Sequence, residues 1–223
     1  MRVNYRVKLL LFFLCALAVF LVFSVGYSAL NTLSRLDAIE AERDQWQRPS
    51  GVIQALELKP GNVVVDLGCG SGYFTLKLSS PVGANGRVIA EDIRWLPLGF
   101  LWFRAMRKRN VSIVHGEPND PHLPIRGVDT VLVSNTYHEF TDAQAILRQL
   151  SQSLVTGGRL VVVDREPKPG NVGITENGDH DISAARVEEE LRSAHFEIVS
   201  RQDRFIESDP DHESWWLIVA RNP

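Results

Sequence analysis

Between Val63 and Ala220 the apolar residues fall into short runs rich in β-branched side chains, and amphipathic stretches separate them. The runs are Val63 to Leu67, Val88 to Ala90, Val111 to Val114, Thr130 to Val133 and Leu160 to Val163, each bounded by Gly, Pro or polar residues. Continuous apolar strands with room between them for crossover helices predict a parallel sheet buried on both faces. Two further strands, Phe196 to Val199 and Trp215 to Ala220, have "ESDPDHES" between them and read as a C-terminal antiparallel hairpin. The predicted fold class is therefore α/β, a doubly wound, mostly parallel seven-stranded sheet. Its best-marked helix runs from Asp142 to Leu154, with Thr141 and Gln144 as a capping box and "TGG" as its stop. Short helices are also expected at Val52 to Leu58 and Ser183 to Ala194.

The first thirty positions follow a different pattern, an apolar run from Leu9 to Val25 preceded by Arg2, Arg6 and Lys8. About twenty-two residues follow Lys8 before polarity returns, and at roughly 1.5 Å per residue a helix of that length spans a bilayer core of about 30 Å. A retained single-pass membrane anchor is favoured over a cleaved secretory peptide, because the run is long and only Gly26 and Ser28 suggest a cleavage site. Arg35, Arg43 and Arg48 balance the preceding charges, so the positive-inside count leaves orientation open. The N-terminal clustering slightly favours a cytoplasmic N-terminus. Leu33 to Gln47 reads as a separate linker helix ended by Pro49, Ser50 and Gly51. The expected organisation is an anchor over 1–30, a linker over 31–51 and one α/β domain over 52–223.

Composition adds exclusions. The 223 residues are 44% hydrophobic and 23% charged, ordinary for one globular domain. Of 24 basic and 27 acidic residues, three basic ones precede the apolar run, which leaves the remainder with 21 against 27, a charge of −6. Such a body lacks the basic face that nucleic-acid binding requires. Cys15 and Cys69 form neither a disulfide framework nor a CxxC site, and the histidines show no ligand spacing, so no metal is expected.

The candidate chemistry begins at the end of the first strand, in "DLGCGSG", where Asp66 precedes Gly68, Gly70 and Gly72. In a doubly wound sheet the ligand lies beyond the strands' carboxyl ends, and glycines there let the backbone approach it. The dinucleotide fingerprint would need its third glycine at position 73, where Tyr73 stands. The D-x-G-x-G-x-G pattern instead closely resembles motif I of class I S-adenosylmethionine-dependent methyltransferases. The resemblance extends over about Trp46 to Pro223 and is nearest to small-molecule methyltransferases with a "YHEF" segment after strand four. It implies a Rossmann-like methyltransferase fold, S-adenosylmethionine as cofactor, and a small or lipophilic acceptor. It also implies cofactor contacts at Asp66, Gly68, Gly70, Gly72 and Tyr73. Asp92, with Glu91 beside it, takes the position that holds the ribose diol, Glu117 the position facing adenine, and Asn135 a place near the cofactor. A carboxylate suits a vicinal diol because its two oxygens accept both hydroxyl protons.

Methyl transfer from a sulfonium is an in-line displacement in which positioning carries most of the catalysis, with a base needed only if the acceptor is protonated. His138 is the preferred base, with Glu139 and Tyr137 as neighbours, since "TYHEF" follows strand four at the expected mouth of the site. A purely structural role for these loop residues stays open, and His180 in "GDHDIS" is a second loop candidate. After strand two, "RWLPLGFLWFRAMRKRN" departs from the family, which usually has a polar helix there. An apolar aromatic stretch edged by cations suits a membrane boundary, and it equally suits a helix packed on the sheet. Three readings compete: a membrane-anchored methyltransferase, a methyltransferase-like domain that binds ligand without catalysis, and, disfavoured by Tyr73, a nucleotide-cofactor oxidoreductase. Since S-adenosylmethionine is expected in the cytosol, an active domain is expected to face the cytoplasm.

Overall fold

The computed structural model describes residues 5–167, 181–207 and 209–223. The chain divides into two compact units, Met1–Arg43 and Asp44–Pro223. The first is the greater part of a single helix, α1, Tyr5–Trp46. The expected anchor and linker helices are thus one continuous helix. Gly26 lies in its interior, and one glycine in a helix costs only about 1 kcal/mol relative to alanine. At roughly 1.5 Å per residue α1 is about twice as long as a bilayer core is thick. Its apolar half, with exposed Phe12, Phe20 and Phe23, has the length and composition of a membrane span; a signal sequence shares both.

The second unit is built on seven strands: β1 (Val63–Leu67), β2 (Arg87–Asp92), β3 (Val111–His115), β4 (Val128–Ser134), β5 (Leu154–Arg165), β6 (Glu197–Ile206) and β7 (Trp215–Arg221). They lie in the order β3-β2-β1-β4-β5-β7-β6. β1 to β5 pair in parallel, and β7 runs antiparallel to both β5 and β6, so the predicted hairpin is present. Five helices cover the faces: α2 (Pro49–Ala55), α3 (Tyr73–Val82), α4 (Trp95–Ala105), α5 (Ala143–Ser153) and α6 (Ala184–Ser193).

The continuous apolar runs are explained by burial on both sides. In β4, Val131 and Val133 join the core beneath α5 and α6, whereas Leu132 joins the opposite core with Leu78 and Val82 of α3. A smaller cluster seats Leu98 and Leu101 of α4 against Ala90 and Cys69.

Two boundaries differ from expectation. The α5 cap is Asp142, whose Oδ1 accepts from the backbone N–H of Ala145 at 2.9 Å, while Thr141 donates to Asn119 and Gln144 to the Glu190 carbonyl. The cap is shifted by one residue, so the donor it satisfies is the Ala145 N–H in place of the Gln144 N–H, and the carboxylate charge suits the helix N-terminus. The "TGG" stop lies inside β5, where Gly157 adopts φ +75° and the pairing with β4 shifts register between Val128 and Thr130. The glycines are absorbed as a strand irregularity, so they do not separate helix from strand.

Leu132→Ala is expected to lower unfolding free energy by about 2–5 kcal/mol while preserving the fold, since it empties a fully buried site on the central strand. Urea denaturation followed by circular dichroism measures it.

Candidate functional site

The strand order reverses between β1 and β4, and beyond the carboxyl ends of the strands there lies a cleft of about 160 Å³ that communicates with solvent. β1 ends in a turn in which Gly68, Gly70 and Gly72 all have positive φ, at 71°, 53° and 93°. L-residues other than glycine rarely adopt this conformation. Space forbids a side chain as firmly as torsion does, because a Cβ on Gly68 would lie 2.2 Å from Thr136 Cγ2 and one on Gly72 2.4 Å from Leu101 Cδ1. Only a bare main chain brings the β1 turn this close to the loop after β4.

β2 braces that turn. Asp92 is buried and accepts from the Gly70 N–H at 2.9 Å and the Arg94 N–H at 2.8 Å. The Arg94 guanidinium caps the same carboxylate through Nε at 3.1 Å and Nη2 at 3.2 Å. This partnership holds the guanidinium above its ordinary pKa. Both Asp92 oxygens are therefore engaged, and a diol can use them only after the half-exposed guanidinium swings aside.

Glu91, on the neighbouring position of β2, reaches into the cleft wall. Its carboxyl lies 3.5 Å from the Gly68 N–H and packs so closely on Gly116 that a Cβ there would sit 2.0 Å from its Oε1. Burial, reinforced by Asp92 and Asp66, pushes its pKa up to about 8, so at neutral pH this acid retains its proton. The same acidic surroundings and burial hold the Cys69 thiol far above its ordinary range, which makes it an inert wall group.

The expected site residues separate into two groups. Gly68, Asp92, Glu117 and Glu139 all line the cleft, together with Glu91, Arg94 and Thr136. Asp66 lies behind it, accepting from Thr75 Oγ1 at 2.6 Å and tying β1 to the first turn of α3. Gly70 and Gly72 shape the turn. Tyr73 points away, with its hydroxyl donating to Asp44 at 2.8 Å and Lys77 over its ring. Tyr137 is a core residue that donates to Glu190 at 2.8 Å, and burial beside that carboxylate raises its phenol pKa. Asn135 adopts φ +54°, and its buried Oδ1 has no hydrogen-bond donor among the described residues.

His138 is not in the cleft wall. It lies on a single 3₁₀ turn, Tyr137–Glu139, with its side chain only 4% exposed. Its Nδ1 lies 2.8 Å from Asp164 Oδ1, and its backbone N–H donates to Asp164 Oδ2 at 3.2 Å. The other ring nitrogen, Nε2, lies 3.9 Å from Glu139 Oε1. Asp164, at the end of β5, is the partner that sequence reasoning missed. Its place at the end of an apolar run was visible, but only the sheet places β5 beside β4. His180 lies outside the described residues.

A profile of the ubiE/COQ5 methyltransferase family matches residues 17–172. The chain belongs to that family. Over 129 residues, 56% of this chain and 49% of the relative, it is 32% identical to "Ubiquinone/menaquinone biosynthesis C-methyltransferase UbiE" of Ectopseudomonas mendocina (strain ymp). It is 22% identical over 160 residues to "Demethylmenaquinone methyltransferase" of Bacillus cereus (strain AH187), covering 71% of this chain and 65% of that one. The chain thus spans about half to two-thirds of the length of these curated relatives. Among solved structures, a SAM-dependent methyltransferase from Aquifex aeolicus superposes with a TM-score of 0.70 at 21% identity, covering 85% of this chain and 98% of the other. The resemblance in the glycine turn and the doubly wound sheet thus holds at the level of family and fold.

The ubiE/COQ5 chain should show the pH signature of Glu91. A carboxyl with a folded pKa near 8 and an ordinary value of 4.5 stabilises the fold below about pH 4.5, and that contribution is lost as pH rises through about 8. Without cofactor, Glu91→Gln is expected to match the wild type at pH 5 and to exceed it at pH 9 by on the order of 3 kcal/mol. Chemical denaturation at the two pH values tests this, and equal differences at both would refute the assignment.

Proposed function

We propose that this chain is an S-adenosylmethionine-dependent methyltransferase, anchored to a membrane through α1, that methylates a small lipophilic acceptor of quinone type. The observation that carries the reading is the side-chain-free β1 turn set against Thr136 and braced by Asp92, a cradle that any Cβ at Gly68 would fill. The residues present fit the cofactor. Asp92 offers two oxygens for a ribose diol once Arg94 releases them, Glu117 stands at the far rim, and the Asn135 Oδ1 is a buried acceptor suited to an ammonium donor. The cofactor supplies an electrophilic methyl group on a sulfonium whose departing form is a neutral thioether. Phe140 and Ile146 give the same cleft an apolar wall, and the names of the two curated relatives indicate quinone-type acceptors for those proteins. The apolar part of α1 supports the anchoring, with the domain on the cytosolic side, where the cofactor is available.

Methylation at carbon requires the acceptor to lose one proton as the new bond forms. Glu139 is the proton acceptor in this reading, because it is the carboxylate of the "YHEF" turn that lines the cleft. His138 and Asp164 are positioning residues: Asp164 holds the imidazole through Nδ1 and the backbone, and Nε2 faces Glu139. Whichever tautomer the ring adopts, its orientation is set by Asp164.

Calorimetry with purified full chain in detergent is expected to show heat with S-adenosylmethionine and S-adenosylhomocysteine and none with NAD. Asp92→Asn should weaken cofactor binding about tenfold to a hundredfold, the scale of a charge-assisted hydrogen bond. Absence of heat from either cofactor form would overturn the reading.

With a demethylated quinol as acceptor, Glu139→Gln is expected to lower kcat by about 10²–10⁴-fold at unchanged cofactor affinity. His138→Ala should lower kcat less and displace the pH profile, whereas a merely structural role would leave the profile in place.

A further inference from the structure

The segment after β2 forms one helix with two apolar faces, one packed on the sheet and one exposed. α4 buries Leu98, Leu101 and Ala105 against the sheet, at spacings of three and four residues. That face accounts for its packing. The outward face carries Trp95 at 72% exposure, Leu96 at 74%, Trp102 at 63%, Phe103 at 52% and Met106 at 63%. Trp95, Trp102, Phe103 and Met106 stand at i, i+7, i+8 and i+11, so they form one continuous stripe. Gly99 falls within the stripe, and a Cβ there would meet nothing within 4 Å. Trp95 is held in place by stacking on the His115 ring, with centroids 3.8 Å apart and planes 10° apart. A helix apolar on both faces needs a second apolar surface besides its own sheet.

Charge identifies that surface. Arg107, Lys108 and Arg109 follow the stripe directly, all exposed, and none has an ion-pair partner among the described residues. The rest of the body is acidic, so this basic cluster marks the side on which an anionic surface is tolerated. Tryptophan rings above lipid tails with cations at the phosphate level are the composition of a helix lying in a membrane interface. We infer that the outward face of α4 docks onto an anionic lipid bilayer surface, with Trp95, Trp102 and Phe103 in the headgroup boundary and Arg107, Lys108 and Arg109 on the phosphates. Ile93 and Arg94, the two residues before α4, line the cleft, so docking brings the cleft rim to the bilayer. The docking itself does not depend on the proposed methyl transfer. The two are tested separately, because lipid contact is read without turnover.

The full chain, assembled into nanodiscs of phosphatidylglycerol and phosphatidylcholine with brominated acyl chains, tests the inference through tryptophan fluorescence. Bromine is expected to quench the emission of Trp95 and Trp102 relative to unbrominated discs. The quenched component should disappear in the Trp95→Ser/Trp102→Ser variant, leaving emission from Trp46, Trp215 and Trp216. In Arg107→Glu/Lys108→Glu/Arg109→Glu, quenching should fall at least twofold in anionic discs to the level seen with phosphatidylcholine alone. Both sets of substitutions are on exposed positions, and an unchanged far-ultraviolet spectrum confirms that the variants fold. Equal wild-type emission in brominated and unbrominated discs, or failure to co-elute with anionic discs, overturns the proposal. A wild-type dimer that dissociates in Trp95→Ser/Trp102→Ser, without lipid quenching, overturns it in favour of a second copy of the chain.

Discussion

The constraint on which the rest depends is the approach of the β1 turn to the loop after β4. The main chain at Gly68 leaves no room for a methyl group beside Thr136, and its φ of 71° would strain any other residue. Because the turn is bare, its N–H groups are available as the bracing contacts of β2: Gly70 donates to Asp92, and Gly68 faces Glu91. Asp66 completes the arrangement from behind through Thr75. A cleft walled by backbone on one side and carboxyls on another follows from those few contacts. It sits at the switch point of the sheet.

The carboxyls in this small region have divided environments. Asp92 is ion-paired with Arg94 and receives two backbone N–H groups. Glu91, one residue earlier, faces the other side of the sheet, has one long contact to a backbone N–H, and keeps its proton near neutrality. Adjacent residues on a strand point to opposite faces, so two acids in sequence acquire two different chemistries. Arg94 adds a further feature, because the guanidinium that stabilises Asp92 occupies the acceptors a sugar would use.

Two places in the chain have a composition suited to a membrane. α1 has the length and apolar composition of a span, and α4 presents aromatic rings and cations beside the cleft. The exposed aromatic face of α4 lies next to the rim of the cleft, where Ile93 and Arg94 precede the helix.

Much of this protein was legible in its sequence. Apolar runs without alternation specified strands buried on both faces, and the three glycines after Asp66 located the left-handed turn beside the cleft, because both signals arise from local sterics and burial that each segment carries in itself. Asp92 was found for the same reason, as an acid at the end of a recognisable strand. What only the tertiary structure decided were the partners. Tyr73 and Tyr137 turned out to serve Asp44 and Glu190, and His138 was drawn off the cleft by Asp164, a residue 26 positions away that meets it because β5 lies beside β4. Periodicity records which face of an element is buried, but it does not record which side chain of another element waits there, since that depends on strand order and register across the whole sheet.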